Sequence, residues 1–171
     1  MFLDGDDWRA YFDAMEYDAW RLETHPVYTV PQEEDGIRRF LAGEPLDTGA
    51  TAAWKARLRG YRETGRRVGR VHVLTRPLTD YLRFEFAHYR HNVEAGEDVR
   101  ILDLTDRPNP GLPDQDFWLF DDRRVVLMNY RPDGTQINRR IHGGDPAPYV
   151  AWKGLAIAES VPFTEYLKDH G

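Results

Sequence analysis

Apolar side chains recur at helical spacing in five parts of the chain. The clearest stripe repeats every three or four residues, at Leu78, Leu82, Phe86, Tyr89 and Val93. This spacing is that of one face of an α-helix. Together with proline or acidic starts and glycine ends, such stripes predict helices over residues 6–16, 31–41, 51–64, 77–95 and 145–167.

Alternating apolar and polar positions predict five strands, at residues 68–74, 98–104, 117–120, 125–130 and 136–141. The first two flank the longest helix, which is typical of a parallel crossover unit. The last three are separated by the turn sequences Asp121-Asp122-Arg123 and Pro132-Asp133-Gly134, which predict an antiparallel meander. Residues 20–30 also alternate, but Pro26 interrupts them, which suits an extended stretch or an edge strand.

These elements predict an α/β (α+β) fold with a mixed five-stranded sheet. The sheet consists of the strand-helix-strand unit and the antiparallel meander, and a C-terminal helix packs on it. We expect a single domain over residues 1–171, with a helical N-terminal subdomain at 1–64 and an α/β core at 65–171.

Composition narrows the class of protein. The 171 residues are 41% apolar and 30% charged, the balance of one soluble globular domain. Cysteine is absent, which excludes disulfides, zinc–thiolate and iron–sulfur sites, and cysteine nucleophiles. No apolar run approaches the roughly 20 residues of a membrane-spanning helix, and the acidic start is unlike a signal peptide. We therefore expect a cytoplasmic protein.

Charge is unevenly distributed along the chain. The net charge of −6 divides into −8 over residues 1–50, +5 over 51–100 and −3 over 101–171. Residues 55–76 hold eight cations and one acid, Glu63, and a cluster of this kind can bind phosphate backbones. No helix-turn-helix, ribonucleoprotein motif or zinc finger accompanies it. We therefore expect a solvated or internally paired face, with nucleic-acid binding as the alternative.

Motifs for metal or nucleophilic chemistry are incomplete. Glu85 and His88 repeat the Glu-x-x-His spacing of carboxylate-bridged metal helices, but no second such pair occurs. His91 lies too far round the helix from Glu85 to share one ion with it. Ser160 is the only serine and lacks a nucleophile elbow, and no phosphate-cradling glycine loop is present. We expect no metal and no cofactor.

A group of polar residues is predicted to meet at the ends of the strands and the longest helix. In a crossover unit the strand ends form a crevice in which ligands bind. Arg83 and Glu85 are placed to pair there. A structural hydrogen-bond network that joins helix to sheet is the alternative interpretation. The candidate ligand-binding residues are Arg70, His72, Tyr81, Arg83, Glu85, His88 and Asp116.

Three runs, at residues 70–85, 95–100 and 116–122, carry a resemblance to a known family, together with residues 20–23, Tyr28 and Glu34. In these runs the chain resembles a family of uncharacterised actinobacterial proteins, known as a domain of unknown function. The second half of such proteins is similar to the effector-like domain that follows the helix-turn-helix in some streptomycete regulators. The resemblance implies a regulatory setting.

The order of elements also resembles, more weakly, half of a phospholipase-D-type fold. The catalytic motif of that family is His-x-Lys followed by an aspartate, whereas Asp116 and Trp118 stand where the histidine and lysine are needed. This resemblance therefore implies the fold without its chemistry.

From these observations we expect a non-enzymatic regulatory or interaction module. It would act with a helix-turn-helix regulator and bind a small ligand in the crevice. One alternative is a hydrolase or nuclease that uses Glu85, His72 or His88 as acid/base groups, with Arg70 or Arg83 stabilising charge. The other alternative is nucleic-acid binding through residues 55–76.

Overall fold

A computed structural model describes residues 1–170, apart from the side chain of Ala50. Six helices occur in the described residues: α1 (Gly5–Asp13), α2 (Glu34–Leu41), α3 (Ala52–Glu63), α4 (Asp80–Glu94), α5 (Ala147–Glu159) and α6 (Phe163–His170). Seven strands accompany them: β1 (Asp18–Glu23), β2 (Arg67–Leu74), β3 (Asp98–Asp103), β4 (Asp116–Phe120), β5 (Arg124–Tyr130), β6 (Gln136–Ile141) and β7 (Val161–Pro162). Short 3-10 turns precede α2 and α3.

All seven strands form one mixed sheet with the order β6-β5-β4-β1-β2-β3-β7. The predicted count of five strands is wrong, because β1 and β7 also join the sheet. The predicted crossover is confirmed, since β2 and β3 are parallel and α4 connects them. The predicted meander is confirmed as well, because β4, β5 and β6 pair antiparallel in sequence order.

Strand β1 lies in the middle of the sheet, parallel to β2 on one side and antiparallel to β4 on the other. The sequence predicted an extended stretch or an edge strand here, because Pro26 interrupts the alternation of residues 20–30. The correction is that Ala19, Arg21 and Glu23 share one covered face while Trp20 and Leu22 share the other. Residues 1–64 therefore supply a central strand in addition to helices.

The two faces of the sheet carry different helices. We call the face that bears Arg21, Glu23 and Arg70 the first face, and the face that bears Trp20 and Leu22 the second face. Helices α1, α3 and α4 pack on the first face, with α6 beside α4. Helix α5 covers the second face through Tyr149, Trp152 and Ala156. The core thus consists of two apolar layers, one on each side of the sheet.

The predicted single C-terminal helix is interrupted. It is divided into α5 and α6 by the two residues of β7, which pair antiparallel with β3. Pro162 within this segment cannot continue the hydrogen-bond ladder of α5, so the chain leaves the helix and returns as an edge strand.

Two turns hold distant segments in place. In the hairpin between β4 and β5, Asp121 has a φ of +55° and its carboxylate accepts hydrogen bonds from three successive backbone amides, at residues 16–18. In the turn before β6, Gly134 has a φ of +88°, and a Cβ there would lie 2.4 Å from the backbone oxygen of Val27. Glycine is therefore required where the loop after β1 crosses this turn.

Within residues 1–170, no helix combines the length and the apolar character that a membrane crossing requires.

Candidate functional site

A cleft of about 710 Å³ opens on the first face of the sheet, within the size range of ligand pockets. Strands β1, β2, β4, β5 and β6 supply its floor, and its walls come from α1, α3, α4 and the loop before α2. Seven aromatic side chains line it: Trp8, Phe12, Tyr28, Trp54, Tyr81, Trp118 and Tyr130. Charged side chains also line it: Arg21, Arg57, Arg70, Arg139, Glu23, Glu33 and Glu85.

Arg70 is the centre of a buried ion-pair network beneath the cleft. Its Nη1 lies 2.8 Å from Glu23 Oε1, and its Nε and Nη2 both donate to Glu97 Oε1, at 2.9 and 2.7 Å. The two carboxylates are 2% and 0% exposed. Burial alone raises the pKa of Glu23, but Arg21 and Arg70 hold it well below its usual range. The network therefore keeps charged groups buried by pairing them.

His72 continues the network from β2 towards α4. A carbonyl oxygen can only accept, so Nε2 carries a proton that it donates to the oxygen of His25 at 2.9 Å. Nδ1 lies 2.9 Å from the hydroxyl of Tyr89, which in turn lies 2.9 Å from Glu23 Oε1. The hydroxyl of Tyr89 donates to Glu23 and thus links His72 to the ion-pair network.

Glu85 provides the carboxylate oxygen nearest to Nδ1 of His72. Its Oε2 lies 3.6 Å from His72 Nδ1 and, although buried, accepts no hydrogen bond from any described residue. Burial and the neighbouring Glu23 carboxylate raise the pKa of Glu85, while burial lowers the pKa of His72. Both shifts favour the uncharged forms of Glu85 and His72, which lie in contact at the edge of the cleft.

Asp116 anchors the loop that follows β1. Its carboxylate accepts from the backbone amide and hydroxyl of Thr24, at 2.9 and 2.7 Å, and from the hydroxyl of Tyr28 at 2.5 Å. Arg21 lies 3.7 Å from the same carboxylate and donates to the hydroxyl of Tyr130 at 2.8 Å. Asp116 therefore lies beneath the cleft and fixes the positions of two side chains that line it, Tyr28 and Arg21.

Glu23, His72 and Glu85 present one donor atom each within 4.8 Å of one another, a spacing that is close enough for three ligands of one metal ion. The proton on Nε2 of His72, fixed by a backbone carbonyl, is also an arrangement common in metal-ligating histidines. However, Arg70 already donates to Glu23 Oε1 at 2.8 Å, so a divalent cation there would meet a guanidinium on the same oxygen. The donor set fits an internally neutralised cluster better than a metal.

The structure brings together most of the candidate residues predicted from the sequence, but not all of them. Arg70, His72 and Glu85 are in contact, Tyr81 lines the cleft beside them, and Asp116 lies beneath it. Arg83 is exposed and pairs with Asp80 at 2.8 Å, so its predicted pairing with Glu85 is wrong. Its position on α4 turns it away from the sheet.

His88 also lies apart from the cleft. Its ring packs edge-on against Phe84 at 4.7 Å. Burial lowers its pKa, as do the neighbouring charges of His91 and Lys55. His88 therefore lies in the contact between α4 and α3 and does not share a site with Glu85.

Sequence reasoning missed Arg21, Glu23, Glu97 and Arg139. Arg21 and Glu23 alternate with Trp20 and Leu22 on β1, a signal that was visible but was interpreted as an extended stretch or an edge strand. Glu97 follows Gly96 in the turn before β3, where nothing in the local pattern marks it as buried. Arg139 lies on β6, four strands from Arg70 in the sheet order, so only the fold relates the two.

The cations of residues 55–76 do not form one surface. Arg70 is buried, Arg57 lines the cleft, and Arg76 pairs with Asp103 and Asp106, at 2.7 and 3.2 Å. Arg59 and Arg62 line a separate shallow depression with two glutamates. Much of the positive charge is therefore paired or turned inwards.

The fold and the cleft together define a single-sheet α/β domain with an aromatic, charged cleft on one face. The chain belongs to the family described as Domain of unknown function (DUF6879), which matches residues 6–168. No curated protein matches the sequence. This match confirms the expectation that the chain resembles an uncharacterised family.

Proposed function

We propose that this chain is a regulatory module that binds a small organic molecule in the cleft on the first face of the sheet and performs no chemistry on it. The observation that carries the proposal is the cleft itself. Ligand pockets of this size are typically lined by aromatic side chains with a few placed polar groups. Here seven aromatic residues surround a floor of buried charges.

The polar groups at the cleft also retain capacity to bind. Buried Nε atoms of Arg21 and Arg139 and the buried Oε2 of Glu85 have no hydrogen-bond partner among the described residues. Unpaired buried polar atoms are uncommon because each costs about 1–3 kcal/mol. A ligand that supplies the missing partners would recover part of that free energy.

The regulatory part of the proposal rests on the resemblance of the second half of the chain to effector-like domains of streptomycete regulators. A module of this kind would transmit ligand binding to a helix-turn-helix protein. The loop between β1 and α2 is a suitable transmitter, since Tyr28 contacts the cleft and Asp116 holds it from below.

A metabolite library screened by thermal shift tests ligand binding, and two tryptophan substitutions provide a matched pair. Gln136 lines the cleft, and its neighbour Ile137 is 53% exposed on the other side of β6. Gln136→Trp should fill the cleft and abolish the shift, whereas Ile137→Trp should leave the shift unchanged. A pulldown from the native host, with and without the ligand, then tests the regulator.

Two results would remove the proposal. The first is the absence of any thermal shift across the library together with recovery of no regulator. The second is a shift that Gln136→Trp leaves intact, because the ligand would then bind elsewhere.

A second candidate function is acid/base catalysis in the same cleft, and the contact between Glu85 and His72 favours it. Glu85 Oε2 is 3.6 Å from His72 Nδ1, and burial raises the pKa of this carboxyl, as in general acids. Once a ligand is known, Glu85→Gln separates the two functions. An enzyme would lose turnover of the bound compound, whereas a binding module would return the compound unchanged with or without the substitution.

A further inference from the structure

One wall of the cleft is an aromatic cluster on which two arginines pack. Phe12 lies 4.9 Å from Trp118 and 5.5 Å from Trp54, measured between ring centroids. Arg139 lies over Trp8 at 5.1 Å, and Arg57 lies over Phe12 at 5.2 Å. Two guanidinium groups therefore lie against the aromatic rings of this wall.

The two arginines at the wall are weakly neutralised. Arg139 makes no ion pair with any residue that the structure describes, and its Nε is buried without a partner. Burial and the neighbouring Arg21 lower the pKa of Arg139, while Tyr130 and Asp4 raise it in part. Arg57 lies 3.6 Å from Asp13, a side chain that is 67% exposed and therefore screened by water.

Glu85, one of the acids of the cleft, lies away from this wall. Glu85 lies against His72 of β2, which is separated from Arg139 of β6 by three strands. Adjacent strands are about 4.8 Å apart, so the backbones of β2 and β6 are about 19 Å apart. The wall that carries Arg57 and Arg139 thus combines positive charge and aromatic side chains at a distance from Glu85.

Building on the proposed function, we infer that the ligand is an organic anion with a flat ring, whose ring packs on the half-buried Trp8 and whose acidic group binds Arg139. Guanidinium forms charge-assisted, bidentate hydrogen bonds with carboxylate and phosphate. Aromatic rings bind flat apolar ligands by stacked or edge-on contact. The cleft offers both within one cavity.

Three naphthalene probes of equal ring size test the charge preference by calorimetric titration of the full chain at low salt: 2-naphthoate, 2-naphthalenemethanol and 2-naphthylmethylammonium. We expect 2-naphthoate to bind at least tenfold more tightly than the alcohol, and the ammonium compound to bind most weakly. Adding salt should weaken the binding of 2-naphthoate and leave that of the alcohol unchanged. AMP and adenosine repeat the comparison with a phosphate. Tight binding of AMP would indicate a phosphorylated ligand, and tight binding of 2-naphthoate alone a carboxylate.

Substitutions of Arg139 test whether this side chain binds the acidic group of the ligand. Arg139→Gln should weaken 2-naphthoate about tenfold and leave the alcohol unchanged, and Arg139→Lys should restore most of the preference. Arg140→Gln is the matched control, because Arg140 is the next residue of β6 and is exposed. Circular dichroism of each variant before titration verifies that it is folded.

The outcomes separate this inference from the proposed function. Equal affinity for the three naphthalene probes, or equal effects of Arg139→Gln and Arg140→Gln, would overturn the inference. A cationic or neutral compound from the library that binds in the cleft would also overturn it, while the proposed function would stand. If no compound of any charge binds in the cleft, both fail.

Discussion

Replacement of Arg70 by methionine removes the cation that neutralises two buried carboxylates. Methionine preserves most of the volume of the side chain, so the change tests charge more than packing. Glu23 and Glu97 would keep their places, 2% and 0% exposed, without the guanidinium that now lies 2.8 and 2.7 Å from them. Breaking a buried ion pair by removing one partner costs about 3–5 kcal/mol.

That loss is a large part of the total stability of a domain of this size, which is about 5–15 kcal/mol. It corresponds to a decrease in Tm of about 6–20 °C. Urea unfolding followed by circular dichroism at pH 7 measures the free energy directly. Arg83→Met is the control, because Arg83 is exposed and its pairing with Asp80 should contribute less than about 1 kcal/mol.

The pH dependence identifies the cause. In the variant, the two carboxyls have raised pKa values in the folded state, so their contribution to stability is favourable at acid pH and is lost as the pH rises. In the wild type, Glu23 has a lowered pKa, so its contribution is lost as the pH falls, whereas burial already raises the pKa of Glu97. Loss of Arg70, which lowers the pKa of both carboxyls, therefore makes the variant less stable than the wild type mainly at neutral and alkaline pH, and the difference narrows towards pH 4. A loss below about 1 kcal/mol, or a loss equal at pH 4.5 and pH 8, would refute the reasoning.

Three further substitutions test separate parts of the structure by the same urea assay. Glu85→Gln should stabilise the fold by about 1 kcal/mol at pH 8, because the raised pKa of this carboxyl disfavours the folded state at that pH. The gain should be smaller below the ordinary pKa of a glutamate, about 4.3, and an equal gain in both pH ranges would contradict this prediction. Asp121→Ala should cost about 2–3 kcal/mol because it leaves three backbone amides without their acceptor, and Asp121→Asn should cost less, since asparagine tolerates a positive φ and keeps one oxygen. Gly134→Ala should cost more than about 2 kcal/mol because its Cβ would collide with backbone, whereas Gly143→Ala, which meets no atom within 4 Å, should cost less than about 0.5 kcal/mol; equal costs would contradict the predicted clash.

The parts of the fold that were predictable are those with local signals. The crossover and the meander are recognisable because alternation, helical spacing and turn residues all occur within short windows of sequence. The central position of β1 is not recognisable in that way. Its Arg21 and Glu23 are covered only because β2 and β4 flank them, and both strands are distant in sequence. Strand β7, with two residues, is too short to show any period.

The candidate site was predictable to the same extent. Arg70 and His72 share one face of a strand, and Glu85 follows on the helix that crosses it, so their meeting follows from periodicity. Their main partners come from other elements. Glu23 reaches Arg70 from β1, and Glu97 reaches it from a turn, so neither is marked by spacing. The separation of His88 from Glu85 shows that a three-residue step on a helix does not by itself bring two side chains to one site.

Fluorine NMR of the chain labelled with 5-fluorotryptophan tests the central claim, the binding of a small molecule in the cleft. The chain has five tryptophans. Trp8, Trp54 and Trp118 line the cleft, whereas Trp20 and Trp152 pack on the second face of the sheet. Titration with 2-naphthoate, or with any compound that raises the Tm, should shift the first three signals and leave the other two in place. Shifts at Trp20 and Trp152 alone, or no shift at the three cleft signals under saturating ligand, would contradict the account.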